Sequence, residues 1–244
     1  MSGAGAADAP LLDTLTEALG AYGLVLRGGF NIEAAEADAF PEVSGQPAAS
    51  LVLVGGAGGS FWGHFARWRD AEPARADLEN PLDAWTLEMV GPVAEALGAT
   101  AVYPFQPPWQ PFQRWAMRAE DVQSSPLGIL IHPDYGLWHA YRAALLFDRP
   151  LEFPVRQTRA SPCEACAEKP CLSACPVGAF SGQGYDLAAC AGHLASAASR
   201  DCHLVGCRAR DACPAGEQYR YGEAQRRFHM AAFIRARGVE PIED

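Results

Sequence analysis

The chain has 244 residues, 49% of them apolar and 20% charged, which supplies a substantial core and excludes wholesale disorder. Its formal net charge of −10 argues against a nucleic-acid surface, which would carry basic patches. No apolar run reaches the roughly 18 residues of a membrane span, and no basic residue precedes Arg27, so neither a transmembrane helix nor a secretory signal is expected; the predicted location is the cytoplasm.

Leu11, Leu12, Leu15, Leu19 and Tyr22 recur at helical spacing and predict an amphipathic helix over 10–22, stopped at Gly23. A short strand follows at 24–26. Leu51-Val52-Leu53-Val54 reads as a buried strand ending in the glycines of 55–59. Those glycines fit neither a P-loop nor a dinucleotide fingerprint and predict a tight turn close to a ligand. A helix is expected over 61–69. Another is expected over 81–97, with Pro81 at its first position and Gly98 as its stop; Asp83 and Glu88 fall on its solvated side. Residues 100–103 suit a strand. Four prolines between 104 and 111 forbid regular structure, and 112–120 suits a helix. Residues 127–132 and 138–147 read as two strands joined by the turn sequence Pro133-Asp134-Tyr135-Gly136. Beyond 151, Pro, Gly and Cys interrupt the chain every few residues, too often for a self-sufficient core. A last helix is expected within 217–237, packing back on the front of the chain.

All 8 cysteines lie between Cys163 and Cys213. Charge divides too: residues 1–150 hold 8 basic and 18 acidic side chains, against 11 and 11 in 151–244. The single lysine, Lys169, stands against 18 arginines and reads as genomic base composition. The expected organisation is a front domain over 1–155, a cysteine domain over 156–216 and a C-terminal helix over 217–244.

The cysteines form two motifs. One is Cys163, Cys166, Cys171 and Cys175-Pro176; the other is Cys190, Cys202, Cys207 and Cys213-Pro214. An iron–sulfur cubane takes four thiolates, and in two-cluster ferredoxins the cysteine before proline serves the other cluster. The first motif is that run with two residues added before its third cysteine. The expected ligand sets are therefore Cys163, Cys166, Cys171 and Cys213 for one [4Fe-4S] cluster, and Cys175, Cys190, Cys202 and Cys207 for the other. Arg200, Arg208, Arg210, Arg226 and Arg227 would offset the anionic sites. Disulfides, two structural zinc sites, or one cluster with spare cysteines remain as alternatives.

Leu130-Ile131-His132-Pro133-Asp134-Tyr135-Gly136-Leu137-Trp138-His139-Ala140-Tyr141-Arg142 resembles a segment of the cblC-type cobalamin-processing proteins. The order of 51–54, Phe61, Phe65 and Asn80-Pro81-Leu82-Asp83 resembles the same family. Leu145 to Leu151, running into a two-cluster cysteine region, resembles epoxyqueuosine reductases and corrinoid reductive dehalogenases. The resemblance implies an α+β fold: a nitroreductase-like mixed sheet with flanking helices, binding cobalamin, and a small ferredoxin-like domain that feeds it electrons. A Gly-rich stretch and an upstream carboxylate of the epoxyqueuosine reductases have no counterpart at 121–126 and 103–108, so queuosine chemistry is not assigned.

Several residues take expected roles from that resemblance. His132 lines the pocket or ligates cobalt. Arg142 binds a corrin amide, a thiol cofactor or an internal carboxylate. Tyr135 and Trp138 flank the corrin, as large flat ligands favour aromatic walls, or belong to the core. Phe105, Trp109, Phe112 and Trp115 form a lid, or pack on the cysteine domain. The first expectation for function is an oxidoreductase passing electrons from two clusters to a corrinoid, reducing cobalt or removing its upper ligand. Its partners would be the corrinoid and a redox protein or small reductant, with no nucleic acid, no membrane, and a homodimer allowed by the fold. An electron carrier without corrinoid comes second, and a flavin-binding reductase ranks below it.

Overall fold

The computed structural model describes residues 9–156, 158–182 and 184–242. The chain divides into two compact units. One runs to Asp121 and resumes over Ala140–Thr158; the other comprises Val122–His139 and the chain from Arg159 onward. The division differs from the expected boundary at 155, because 122–139 group with the cysteine segment.

The first unit opens with α1 (Ala9–Gly20), whose Leu15 and Leu19 are fully buried, and Gly23 ends it at a φ of 70°. Strands β1 (Val25–Asn31) and β2 (Ser50–Ala57) pair antiparallel, with a bulge between Leu26 and Gly29. The bulge shifts the alternation so that Arg27 and Phe30 both point inward. Helices α2 (Trp62–Asp70) and α3 (Pro73–Ala76) lead to α4 (Pro81–Ala96). Trp85 of α4 stacks on Phe61 at 5.6 Å and meets Phe65 edge-on at 6.0 Å. Strand β3 (Thr100–Val102) and α5 (Phe112–Ala119) flank the proline-rich loop.

The chain then enters the second unit as β4 (Gln123–Ser124) and β5 (Leu130–Ile131), which pair with each other. It continues as β6 (His139–Phe147), completing a sheet of order β1-β2-β6-β3. The expected mixed sheet is antiparallel instead. β1 with β2 and β3 with β6 pair that way. The Ala49 N–H bonds the Phe147 carbonyl at one end of the β2–β6 pair while Gly55 faces Ala140 at the other. β2 is buried almost throughout, and each fully buried Leu or Val in it contributes about 1.5–3 kcal/mol.

Two expectations fail here for local reasons. Residues 127–132 and 138–147 do not pair as a hairpin. The Ser125–Ile129 turn, with Gly128 at a φ of 74°, uses up most of the first segment, and β5 pairs backward with β4. Gly55 and Gly56 lie within β2 rather than in a turn. A Cβ on Gly55 would stand 1.9 Å from the Ala140 carbonyl oxygen, so the glycine permits close strand approach rather than ligand access.

The rest of the second unit is built of short pieces: α6 (Pro162–Ala165), α7 (Pro170–Ser173), the hairpin β7 (Phe180–Ser181) and β8 (Gly184–Tyr185), α8 (Leu187–Leu194), α9 (Arg200–Val205), α10 (Arg208–Asp211) and α11 (Glu223–Arg235). One apolar cluster joins Leu127, Ile131 and Leu137 to Cys171, Ala209 and Cys213. A second joins Leu194, Cys202 and Ile234. Helix α11 packs against α9 within the second unit. Among the described residues no helix is long and apolar enough to cross a membrane.

Candidate functional site

The eight cysteines are free thiols, and all lie in the second unit. Electrostatics divides them into two fours. Burial pushes up the Cys163, Cys171 and Cys213 thiols, and within this group charge on Cys163, Cys166 or Cys171 adds to the effect. Burial likewise pushes up Cys207, and Cys202 to about 11, with further increments from charge on Cys175, Cys190 or Cys207. Pro126, Ile131, Pro170 and Pro214 wall the first group in a small cavity.

Hydrogen-bond donors are aimed at the sulfurs. The Ala179 N–H donates to Cys175 Sγ at 3.3 Å. Main-chain N–H groups of Cys171 and Leu172 serve Cys171, that of Ala215 serves Cys213, and those of Ala209 and Arg210 serve Cys207. The Ser161 hydroxyl accepts the Cys163 N–H at 3.3 Å and helps lower the Cys163 thiol, and Tyr185 lines the same cleft as Cys190. The main-chain donors favour the thiolate over the thiol. Two cations also face the groups. Lys169, at a φ of 42°, lowers Cys163 and Cys171, and Arg208 lowers Cys202. Arg210 and Arg226 are engaged elsewhere, on the Leu137 carbonyl at 2.6 Å and on Asp211 at 2.6 Å. Among the described residues, no group of three or more His, Cys, Asp or Glu side chains is arranged to hold a single metal ion.

Beside the second four lies an apolar cleft of about 270 Å³, with Cys190 and Cys207 in its wall next to Phe180, Tyr185, Trp138 and Phe233. Trp138 is 1% exposed, under the Arg210 guanidinium at 4.6 Å and against Tyr221.

The other pocket candidates fall into two groups. In the second unit His132 and Tyr135 stack at 4.2 Å. His132 Nδ1 accepts the N–H groups of Asp134 and Tyr135, so this ring shapes the 132–136 turn. In the first unit Arg142 donates to Asp83 at 2.6 Å and to Thr86, and lies over the Phe105 ring at 5.1 Å. Asp83 is an internal carboxylate of the kind expected as one partner of Arg142, and at 29% exposure it is not a fully solvated surface group. The aromatic lid is not one element. Phe112 and Trp115 are buried in the first unit, where Trp115 stacks on Phe40 at 5.6 Å, whereas Trp109 is 71% exposed.

Sequence reasoning missed a buried polar cluster in the first unit. Arg27, 2% exposed, bonds both Glu120 oxygens through Nε at 3.2 Å and Nη2 at 2.6 Å, and its Nη1 donates to the Gly56 carbonyl at 2.8 Å. The Tyr141 hydroxyl donates to the same carboxylate. Burial pushes the Glu120 carboxyl up, against the pull of Arg27 and Tyr141. Burial and the Glu120 charge push the Tyr141 phenol up.

No family model and no curated protein matches the chain. Among solved structures it is similar to a C. elegans B12-trafficking protein, CblC, described as a human MMACHC homologue. The likeness has a TM-score of 0.51 over 97% of this chain and 98% of that one, at 14% sequence identity. At that identity the likeness is one of fold: the chain has a CblC-like α+β architecture.

Proposed function

We propose that this chain is a corrinoid-linked redox protein whose two groups of cysteines each hold a [4Fe-4S] cluster. Once bound, the clusters would supply low-potential electrons for reducing the cobalt of a corrinoid or removing its upper ligand. The observation that carries the reading is the division of the eight thiols into two fours that act on one another within each group, with main-chain N–H groups directed at Cys171, Cys175, Cys207 and Cys213. A cubane takes one thiolate on each of four irons, so its ligands surround a cluster rather than converge on one ion. The lack of a single-ion site among the described residues therefore does not count against it. The corrinoid half of the proposal draws on the CblC-like fold and on the B12-trafficking role of that neighbour.

The chain's own residues would act mainly on charge and protons. Buried thiols with raised pKa must lose their protons to bind metal, so loading releases protons. Lys169, Arg208 and the main-chain N–H groups would stabilise the thiolates that result. Electrons would come from a small reductant or a redox protein.

A second reading is an electron carrier without corrinoid, in which the Arg142 guanidinium, bonded to Asp83 and Thr86, serves the fold. Iron and sulfide analysis with visible spectra, on anaerobically purified protein before and after adding cob(II)alamin, separates the two. About eight irons per chain with a corrinoid-induced shift supports the reductase. The same iron without a shift leaves the carrier. Zinc in place of iron removes both.

A further inference from the structure

The cleft of about 270 Å³ in the second unit has a mostly apolar wall, but Trp138, Arg210 and Arg226 line it with hydrogen-bond donors. Each of the three keeps one buried donor without a partner: the Nε1–H of the indole, and the Nε–H of each guanidinium. A buried indole N–H ordinarily finds an acceptor, and a donor taken out of water without one destabilises the fold. Here three such donors belong to the wall of one cleft. Among the described residues no carboxylate lines it. What the wall lacks is an acceptor, and the cleft is where one can enter.

The charges around the cleft say what kind of acceptor suits it. Arg210 gives Nη2 to the Leu137 carbonyl at 2.6 Å and lies over the Trp138 and Tyr221 rings at 4.6 and 4.8 Å. Those partners are neutral, so its charge is not cancelled. Arg226 gives Nη1 to Asp211 at 2.6 Å, but Arg220 shares that carboxylate at 3.6 Å. The balance favours one negative charge on an occupant, and Met230 and Phe233 favour a flat apolar body behind it. The volume falls just under the usual range for small-molecule sites and excludes a corrin. Nor is the cleft the seat that four thiolates would share. Cys190 and Cys207 line it while Cys175 and Cys202 do not, whereas all four cysteines of the first group line their own cavity.

We infer that this cleft binds a small monocarboxylate with a flat apolar body, its carboxylate received by the N–H groups of Arg210, Arg226 and Trp138. The site stands on these side chains and does not presuppose iron at the cysteines.

Isothermal titration calorimetry on the whole, anaerobically purified chain tests this, with 1-naphthoate as the probe and 1-naphthamide as its neutral counterpart. Naphthoate should bind about tenfold more tightly than the amide, because its bonds to the guanidinium groups are charge-assisted. Arg226→Met should weaken naphthoate by about tenfold and leave naphthamide unchanged, which a collapsed cleft would not do. Ile129 lines the cleft and is 39% exposed, so Ile129→Trp can fill it from the surface and should weaken both probes. The two probes on wild type, with Ile129→Trp, decide the matter even if Arg226→Met folds poorly. Equal affinity for the two probes, no naphthoate binding at millimolar concentration, or binding that survives Ile129→Trp overturns the site and leaves the iron–sulfur reading standing.

Discussion

Gly136 and Gly216 lie backbone against backbone. A Cβ on Gly136 would stand 1.8 Å from the Ala215 carbonyl oxygen, and one on Gly216 would stand 2.3 Å from the Tyr135 carbonyl carbon. Both adopt positive φ, 56° and 68°. The turn at 132–136 is thus a dock for the segment that follows Cys213-Pro214, reinforced by Tyr135 meeting Tyr219 edge-on at 4.8 Å. Gly136→Ala should cost about 1–3 kcal/mol from backbone strain alone, before the steric clash is counted. It should also lower iron bound by the Cys213 group more than by the Cys175 group. Chemical denaturation and iron analysis check both.

The grouping of thiols gives a complementary pair of expectations. Cys175→Ser should leave about four of eight irons, and Cys213→Ser should leave the other four, because each removes one ligand from a different cluster. Spectra of the two variants should differ and together account for the wild type. Loss of all iron in either variant, or of none, would count against the two-group scheme.

In the first unit the Arg27–Glu120 pair offers a stability test. Arg27→Met removes the cation and leaves a buried carboxylate whose remaining named partner is Tyr141. Breaking one side of a buried pair costs about 3–5 kcal/mol. The double variant Arg27→Met with Glu120→Gln should recover part of the loss, since no stranded charge remains. Urea denaturation of wild type and both variants gives the comparison.

A surface pair sets a pH dependence. Arg159 donates to both Asp134 oxygens at 2.8 Å, and these bonds hold the carboxyl below its ordinary range. A depressed carboxyl stabilises the fold above its unfolded pKa of about 3.9, and that contribution disappears as pH falls through the lower folded value. Both side chains are about half exposed, so screening keeps the effect near 0.5 kcal/mol. Asp134→Asn should therefore unfold at slightly lower urea than wild type at pH 7, with the gap closing as the pH is taken below 4.

What the sequence disclosed followed from periodicity and spacing. Leu15 and Leu19, and Leu82 with Trp85, mark buried helix faces, and Leu51 to Val54 mark the central strand. What it hid depends on partners far along the chain. Arg27 finds Glu120 across 93 residues and Arg142 finds Asp83 across 59, and neither pairing leaves a local pattern. Gly55 looked like a turn because glycine is the common turn residue, whereas its role is to let β6 approach. Lys169 looked like a compositional accident until its position beside Cys163 and Cys171 was known. The strands expected at 127–132 and 138–147 do not pair, because the turn at 125–129 and the pairing of β5 with β4 take up the first of them.

The division of the chain into two units also governs how the cysteine segment can be made or moved. Leu127, Ile131 and Leu137, on which Cys171 and Cys213 pack, leave the ribosome before the first cysteine does. They must wait, uncovered, while β6 and the following stretch are synthesised. A graft that took only residues 159 onward would carry every cysteine but leave behind the floor they stand on. Transplanting the unit needs two junctions, one on each side of 122–139, and a lineage that acquired it by fusion at a single point would have had to grow that floor afterwards.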